Sequence, residues 1–251
     1  MNTIASEKGY SILEVLISAT LGVIVLAGAF DVYISSTKSI MGQANIVQMQ
    51  ADTKAAMDIM VADLRMAYTG STGTTLNDAI VDSDTITFYR TYESGYATSG
   101  TTTTLTDTGK SWAVNKFAST AAGTYFLFIK TGAGSGQVSP ATILNNYTST
   151  TLTLASALAT APSSIPPPGS LYFIVRQKTF TLLGDMTVRS LITGGKYHLL
   201  AQNVTLLQFN TGSPCTDTSM CITLSARSKT PDPRTGDYRT YSLTSSATPR
   251  N

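Results

Sequence analysis

One acidic side chain, Glu14, stands near the start of a long apolar run, and its setting is the most distinctive in this sequence. The run extends from Tyr10 to Phe30, and no charged residue occurs from Val15 to Phe30. About 20 helical residues span the core of a bilayer, so the run is long enough to cross a membrane. An ionised side chain inside lipid costs about 2.5–3.5 kcal/mol and is usually retained because another group pairs with it. We therefore expect Glu14 to pair with a cation.

Motifs of enzymatic sites are incomplete in this chain. Gly109–Ser111 (GKS) imitates the end of a phosphate-binding P-loop, but Thr104 stands where that motif requires glycine. Gly132–Gly136 lacks the spacing of a dinucleotide-binding fingerprint, and no G-x-S-x-G hydrolase elbow occurs. The single histidine, His198, lies in a strand-like segment with no nucleophile motif assigned to it. We expect a protein that is not an enzyme and has no cofactor and no metal site.

Composition narrows the function classes further. The chain has 251 residues, a formal net charge of +2, two cysteines and 13% charged residues, whereas soluble domains carry about 25%. The weak charge excludes a strongly basic nucleic-acid-binding surface, so nucleic acid is not an expected partner. Two cysteines and one histidine exclude cysteine-rich zinc modules and multi-histidine metal sites.

A short polar leader, Met1–Gly9, precedes the apolar run. A secretory signal peptide would offer a cleavage site at Ala27–Ala29, but its apolar region is usually only about 7–15 residues long. A plain membrane anchor and a buried core helix are further alternatives, and neither explains the leader.

The string Gly9–Glu14 (GYSILE) resembles the type III signal of type IV pilins and pseudopilins. In that family a short leader ends in glycine, an aromatic residue follows, and a glutamate is fifth in the mature chain. The resemblance implies that prepilin peptidase cuts between Gly9 and Tyr10 and methylates the new amine of Tyr10. Glu14 would then be the fifth mature residue, about 6 Å along a helix from that amine. A buried carboxylate and a buried amine are tolerable as a pair, so we expect Glu14 to set subunit register during assembly.

The helix is expected to continue well beyond the membrane, from Tyr10 to Tyr68, with a stop at Thr69-Gly70. Apolar residues recur three or four positions apart in its second half, as on one face of a helix. Asp63 and other charged residues fall on other parts of the helical wheel. The members of this stripe are Ile46, Met49, Thr53, Met57, Met60, Leu64 and Tyr68. We expect the stripe to pack against a globular head, with a bend around Ser35–Gly42.

Two further features specify the resemblance. Major pilins usually have proline at the twenty-second mature position, where this chain has Asp31, which favours a minor pilin or pseudopilin. The segment Asp63–Ala67 (DLRMA) is similar to a pattern of the PilW group of minor pilins. The J-type minor pseudopilin of type II secretion shares the same general plan and stays an alternative.

The rest of the chain is predicted to be β-structure, because short segments rich in β-branched and aromatic residues alternate with Gly, Asn and Pro. The predicted strands are Asp84–Tyr92, Tyr125–Lys130, Thr151–Leu154, Leu171–Gln177, Tyr197–Gln202, Val204–Phe209 and Cys221–Arg227. The fold class expected is α+β, with a long N-terminal helix packed on a mostly antiparallel, pilin-like head. The domains expected are a leader (1–9), a transmembrane half-helix (10–34), an amphipathic half-helix (35–69) and a β-rich head (70–251). A Thr-rich β insert is expected at about 100–175.

The C-terminal region carries the two cysteines and most of the local charge. Because the pilin resemblance implies export to an oxidising compartment, Cys215 and Cys221 are expected to form a disulfide, as pilin heads often do. The tail Arg227–Asn251 is expected to be a solvated loop followed by an edge strand. Asp232 and Asp237 could attract calcium, although they lack EF-hand spacing.

The resemblance implies a minor pilin that helps to initiate or prime type IV pilus assembly near the tip. Its partners would be prepilin peptidase, other minor and major pilins, and the pilus assembly platform in the inner membrane. The chain would cross the inner membrane once, with its head in the periplasm, and then reach the pilus or cell surface. The alternatives are the J-type pseudopilin and an adhesive module that uses the Thr-rich insert on a pilin stalk.

Overall fold

The computed structural model describes residues 11–68, 80–113, 117, 125–130, 141–155, 157–158, 161–162, 170–192, 195–210 and 219–249. Of residues 80, 130 and 141–147, the backbone alone is described. The leader, with Gly9 and Tyr10, lies outside these residues, as do Thr69-Gly70 and Cys215.

A single helix, α1, covers Ile12–Arg65 and is 54 residues long, which corresponds to about 80 Å. Ser11 caps its start, because the Ser11 hydroxyl accepts a hydrogen bond from the Leu13 amide. Every side chain from Ile12 to Ser36 is exposed, and the first buried one is Met49. The helix therefore has a free first half and a packed second half.

The helix ends three residues before the predicted end at Tyr68, because the next residues join the sheet. The Tyr68 amide donates to the carbonyl of Tyr89, at 2.6 Å, and the Thr91 amide donates to the carbonyl of Met66, at 2.9 Å. Ala67 forms an isolated antiparallel bridge with Arg90. The predicted end was wrong because these backbone groups bond to a strand instead of continuing the helical pattern.

Thirteen strands follow α1 among the described residues, and each strand pair is antiparallel. They are β1 (Ile80–Val81), β2 (Thr85–Ala97), β3 (Ser99–Thr101), β4 (Thr104–Thr106), β5 (Phe126–Lys130), β6 (Ala141–Tyr147), β7 (Thr151–Leu154), β8 (Ser170–Leu182), β9 (Val188–Ile192), β10 (His198–Ala201), β11 (Val204–Asn210), β12 (Met220–Arg227) and β13 (Thr240–Ala247). The long apolar helix and these antiparallel sheets form the expected α+β layout.

The larger sheet is organised around β2 and β8, which pair along their whole lengths, from Thr85 with Thr181 to Ala97 with Ser170. Its strand order is β1-β2-β8-β5-β6-β7-β4-β3. The second half of β8 also pairs with β9, and β9 pairs with β10. Strands β3 to β7, which lie in the region of the predicted insert, belong to this same sheet, and the end of β2 pairs with the start of β8 at Ala97 and Ser170.

The smaller sheet has the order β11-β12-β13, and its last strand is an edge strand. This confirms the edge strand predicted for the C-terminal tail. The sequence did not predict β1, β3, β4, β6 or β9. Four of these have at most five residues, too few for a clear alternating pattern.

Two large hydrophobic cores stabilise the head. The helix-side core joins α1 to strands of both sheets, and its larger members include Met57, Met60, Leu64, Phe88, Phe180, Phe209, Ile222 and Leu224. The distal core lies around the far half of β2 and β8, and includes Leu105, Trp112, Phe117, Leu127, Leu152 and Tyr172. Since β2 and β8 contribute to both cores, they connect the helix-side region to the distal region.

Candidate functional site

The N-terminal half of α1 is the first candidate site. Glu14 lies in its first turn, where a carboxylate interacts favourably with the positive end of the helix dipole. Gly9 and Tyr10 are outside the described residues, so the predicted cleavage and methylation site stays a prediction. The helix begins at Ile12, two residues after Tyr10, and Glu14 is exposed. Its side chain is therefore free to meet a group on another molecule.

Exposed apolar side chains extend along the whole first half of α1. Ile12 is 83% exposed, Leu13 is 66% exposed and Phe30 is 64% exposed. Among the described residues, α1 is the one helix long and apolar enough to cross a membrane. Hydroxyls within this segment bond to the helix backbone, as Ser18 does to the Glu14 carbonyl (2.8 Å) and Thr20 to the Leu16 carbonyl (2.8 Å). Such bonds satisfy the hydroxyls without water.

The second half of α1 attaches the head through the predicted stripe. Met49, Thr53, Met57, Met60 and Leu64 are all buried, and Tyr68 is buried just beyond the helix end. Ile46 is half-buried. Burying one such aliphatic side chain contributes about 1.5–3 kcal/mol, so this stripe holds the helix firmly to the sheets. The predicted packing of the stripe is confirmed.

A cluster of charged side chains is buried where α1 meets the head. The Lys178 ammonium donates to Asp63 Oδ2, and Arg90 Nη1 lies 2.9 Å from Asp63 Oδ1. Asp63 and Lys178 are only 6% and 8% exposed, whereas the Arg90 side chain is 38% exposed. Asp63 thus links the last turn of the helix to both central strands, β2 and β8. Sequence reasoning placed Asp63 away from the core stripe and missed this cluster.

This cluster explains the structural role of the DLRMA segment, Asp63–Ala67, at the end of α1. Asp63 forms the buried ion pairs, Leu64 is fully buried in the helix-side core, and Ala67 is fully buried where it bridges to β2. Arg65 and Met66 are exposed. The Met66 sulfur accepts from the Arg90 guanidinium at 3.4 Å. The segment therefore attaches the end of the helix to the sheet.

A second buried polar cluster lies in the distal core. The Tyr172 hydroxyl donates to Asp107 Oδ2 at 2.7 Å, and the Gly109 amide donates to Asp107 Oδ1 at 2.9 Å. Burial, followed by the hydrogen bond to Asp107, raises the pKa of Tyr172 well above its usual value. Gly95 packs against this pair, because a Cβ there would lie 2.5 Å from the Tyr172 hydroxyl. The cluster therefore connects β2, β8 and the Asp107–Gly109 segment that follows β4.

The Lys110 of the P-loop-like string does not face a phosphate-binding loop. Its ammonium lies 3.3 Å from Glu93 Oε1 on β2, and Glu93 also accepts from the Trp112 indole at 3.0 Å. His198 is an exposed residue at the start of β10. No group of three or more metal-ligating side chains occurs within the described part of the chain.

The C-terminal loop between β12 and β13 is ordered by Asp232. Its Oδ2 accepts from Arg239 Nε and Nη2, at 2.8 and 2.6 Å, and its Oδ1 accepts from the Arg234 amide at 2.8 Å. These hydrogen bonds lower the pKa of Asp232, and the bond from the Arg234 amide has the largest effect, followed by the bonds from Arg239. The Asp237 carbonyl accepts from the Asp232 amide. Because both oxygens of Asp232 already have donors, this carboxylate stabilises the loop itself.

Cys221 lies at the start of β12, opposite Asn210 on β11, and is disulfide-bonded. The chain has one other cysteine, Cys215, which lies outside the described residues. In sequence, Cys215 comes between β11 and β12, six residues before Cys221.

Comparisons with known proteins give no match among protein-family models, curated proteins or solved structures.

Proposed function

We propose that this chain is a minor pilin, of the PilW type, which helps to initiate or prime type IV pilus assembly near the tip. The observation that carries the proposal is the division of α1. Its first half is apolar and exposed with Glu14 in the first turn, and only its second half packs on the head. A free half-helix of this kind suits insertion first into a membrane and then among the helices of a filament.

Glu14 would provide the register of that assembly. In lipid, an unpaired carboxylate is costly, and the new amine of a neighbouring Tyr10 would be costly in the same way. Each group loses this penalty when it meets the other. The periplasmic head, held to the helix by the Asp63 cluster, would then contact the heads of other minor and major pilins.

The first test is the N-terminus of the protein made in its native host, measured by intact mass and peptide mapping. The proposal predicts a chain that starts at methylated Tyr10. An intact leader, or a start at Phe30, would refute the pilin assignment.

The second test is substitution of Glu14. Glu14→Ala should lower incorporation into sheared pili by more than about tenfold, because breaking a buried ion pair costs about 3–5 kcal/mol. Asp31→Ala is the matched control, since Asp31 is an exposed acid on the same helix. Incorporation of the Glu14 variant at the wild-type level would contradict the role of Glu14. Recovery of the chain with secretion pseudopilins instead of pili would reassign it to the J-type alternative.

A further inference from the structure

The loop between β12 and β13, residues 228–239, contacts α1 close to its exposed apolar half. The Asn45 side-chain amide donates to the Thr230 hydroxyl at 2.8 Å, and a Cβ at Gly42 would lie 3.8 Å from Pro233 Cδ. Both contacts come earlier along the helix than Met49, its first buried side chain. This β12–β13 loop therefore meets the helix nearer to the apolar half than the helix-side core does.

Backbone hydrogen bonds give the β12–β13 loop a defined turn. The Asp232 amide donates to the Asp237 carbonyl at 2.7 Å, and the Gly236 amide donates to the Asp232 carbonyl at 2.8 Å. Gly236 has a φ of 77°, which is in the left-handed region that favours glycine. The Asp232 carboxylate also binds the Arg234 amide and the Arg239 guanidinium. The loop therefore presents its charged side chains on a preformed turn.

A cleft of about 200 Å³ lies between the β12–β13 loop and α1, and its charge is mainly positive. Lys38 on the helix and Arg234 and Arg239 on the loop face one acid, Asp232, so three cations against one anion leave a net charge of +2. The Lys38 and Arg234 side chains are exposed, and neither forms an ion pair with the residues that the structure describes. Arg239 uses Nε and Nη2 for Asp232, which leaves its Nη1 for another acceptor. This cleft is suited to an anion.

The position of the cleft along α1 matches the headgroup layer of a membrane. Tyr33 is exposed, and an exposed tyrosine after an apolar helix is typical of the boundary between lipid and water. Lys38 lies five residues beyond it, or about 7.5 Å, and each headgroup layer is about 5–8 Å thick. Apolar side chains continue past Lys38, with Ile40 63% and Met41 60% exposed. A lysine in this setting keeps its stem on apolar surface and its ammonium among headgroups.

We propose that this cleft binds the phosphate group of an anionic phospholipid, whose acyl chains lie along the exposed apolar half of α1. The proposal rests on the proposed function only for the insertion of that half into a membrane. Phosphate oxygens accept hydrogen bonds from the planar guanidinium fork, which Arg234 and Arg239 supply. Lys38 adds a point charge from the helix side of the cleft. The bound lipid holds the β12–β13 loop, and with it the head, at the membrane surface.

Lipid titration of the full chain in a neutral detergent, followed by native mass spectrometry, tests the site. The two probes are phosphatidylglycerol, which has a net negative charge, and phosphatidylcholine, which has none. Each basic residue near an anionic lipid contributes about fivefold in affinity, so a net charge of +2 predicts a preference for phosphatidylglycerol of about 25-fold. Lys38→Gln should lower this preference to about fivefold, and Lys38→Gln with Arg234→Gln should abolish it.

Arg65→Gln is the matched control and should keep the wild-type preference. Arg65 is an exposed cation on the same helix, and it lies 27 residues beyond Lys38, or about 40 Å further from the apolar half. Because Lys38 and Arg234 are exposed as well, their variants should unfold in urea at the wild-type midpoint, which verifies that the head is folded. A wild-type chain without a preference, or a folded double variant that keeps it, would overturn the proposal. So would an equal loss of preference in Arg65→Gln and Lys38→Gln.

Competition with inorganic phosphate distinguishes a lipid site from a site for a free anion. Free phosphate has no acyl chains to contact α1, so a large excess of it should leave most of the phosphatidylglycerol bound. Displacement by phosphate at a concentration similar to that of the lipid would show that the cleft takes the free anion, and would overturn the lipid assignment.

The N-terminus is mapped on the same protein, made in its native host, so that the two proposals can fail separately. A methylated Tyr10 without the lipid preference would refute the lipid site and leave the pilin assignment intact. An intact leader together with the preference would refute the pilin assignment and support the lipid site.

Discussion

The buried pair of Asp63 and Lys178 leads to an asymmetric prediction. Asp63→Ala leaves the Lys178 ammonium, which is 8% exposed, without its carboxylate partner. After Lys178→Met, Asp63 still has one cationic partner, because Arg90 Nη1 lies 2.9 Å from its other oxygen. The two substitutions break the same contact but should not cost the same free energy of unfolding.

The magnitudes follow from what remains buried. Removing one partner of a buried ion pair costs about 3–5 kcal/mol, which we expect for Asp63→Ala. Lys178→Met should cost less, about 1.5–3 kcal/mol, since one hydrogen bond to a charged group is lost while the methionine replaces the aliphatic stem. With a urea dependence of about 2 kcal/mol per M, Asp63→Ala shifts the unfolding midpoint by about 1.5–2.5 M. The double variant Asp63→Leu with Lys178→Met should recover most of this loss, because no buried charge then remains unpaired. Arg90 also loses Asp63, but its side chain is 38% exposed and is solvated by water.

Urea unfolding of the full chain in detergent, followed by fluorescence, measures these shifts. Trp112 is the single tryptophan and is 3% exposed in the distal core, so its emission reports on the folded head. Equal midpoints for Asp63→Ala and Lys178→Met would refute the reasoning. So would a double variant that is no more stable than Asp63→Ala.

The remaining predictions concern the distal cluster, and the same urea assay measures them at several pH values. Tyr172→Phe should cost about 1–3 kcal/mol at pH 7, because the buried Asp107 Oδ2 loses its hydroxyl donor. Since the folded-state pKa of Tyr172 is raised above its ordinary 10.0, its stabilisation is complete below pH 10 and is lost as pH rises above that value. The Tyr172→Phe variant should therefore show a smaller loss above pH 10, and an identical loss would contradict this. Gly95→Ala should destabilise the head by about 1–3 kcal/mol through a clash with Tyr172. Gly184→Ala, which has open space around it, should be neutral, and equal effects of the two would show that the clash is relieved.

Local patterns predicted much of the helix and its two-part character. The spacing of Met49, Met57 and Met60 follows a repeat of three or four residues, and a helix converts that repeat directly into one buried face. In the same way, alternating segments such as Thr151–Leu154 became strands with the predicted bounds. These features depend only on neighbours along the chain.

The bounds of other elements depended on distant residues. The last residues of the predicted helix, Ala67 and Tyr68, joined β2 because its backbone groups offered better partners than another helical turn. The strands β2 and β8 extend to 13 residues each, beyond the predicted Asp84–Tyr92 and Leu171–Gln177. Each supplies the other with backbone partners along its full length, which no local pattern encodes.

Chain order alone was enough to predict that Glu14 opens an apolar helix, since the charge and its apolar neighbours are adjacent in sequence. The burial of Asp63 became visible only in the folded chain, because its partner Lys178 is 115 residues away. The same holds for Tyr172 and Asp107, which are 65 residues apart and share a buried hydrogen bond. Periodicity specifies which side of an element is apolar. The pairing of buried polar groups depends on which elements the fold brings together, because a polar group is stable in a core only where another chain segment satisfies it.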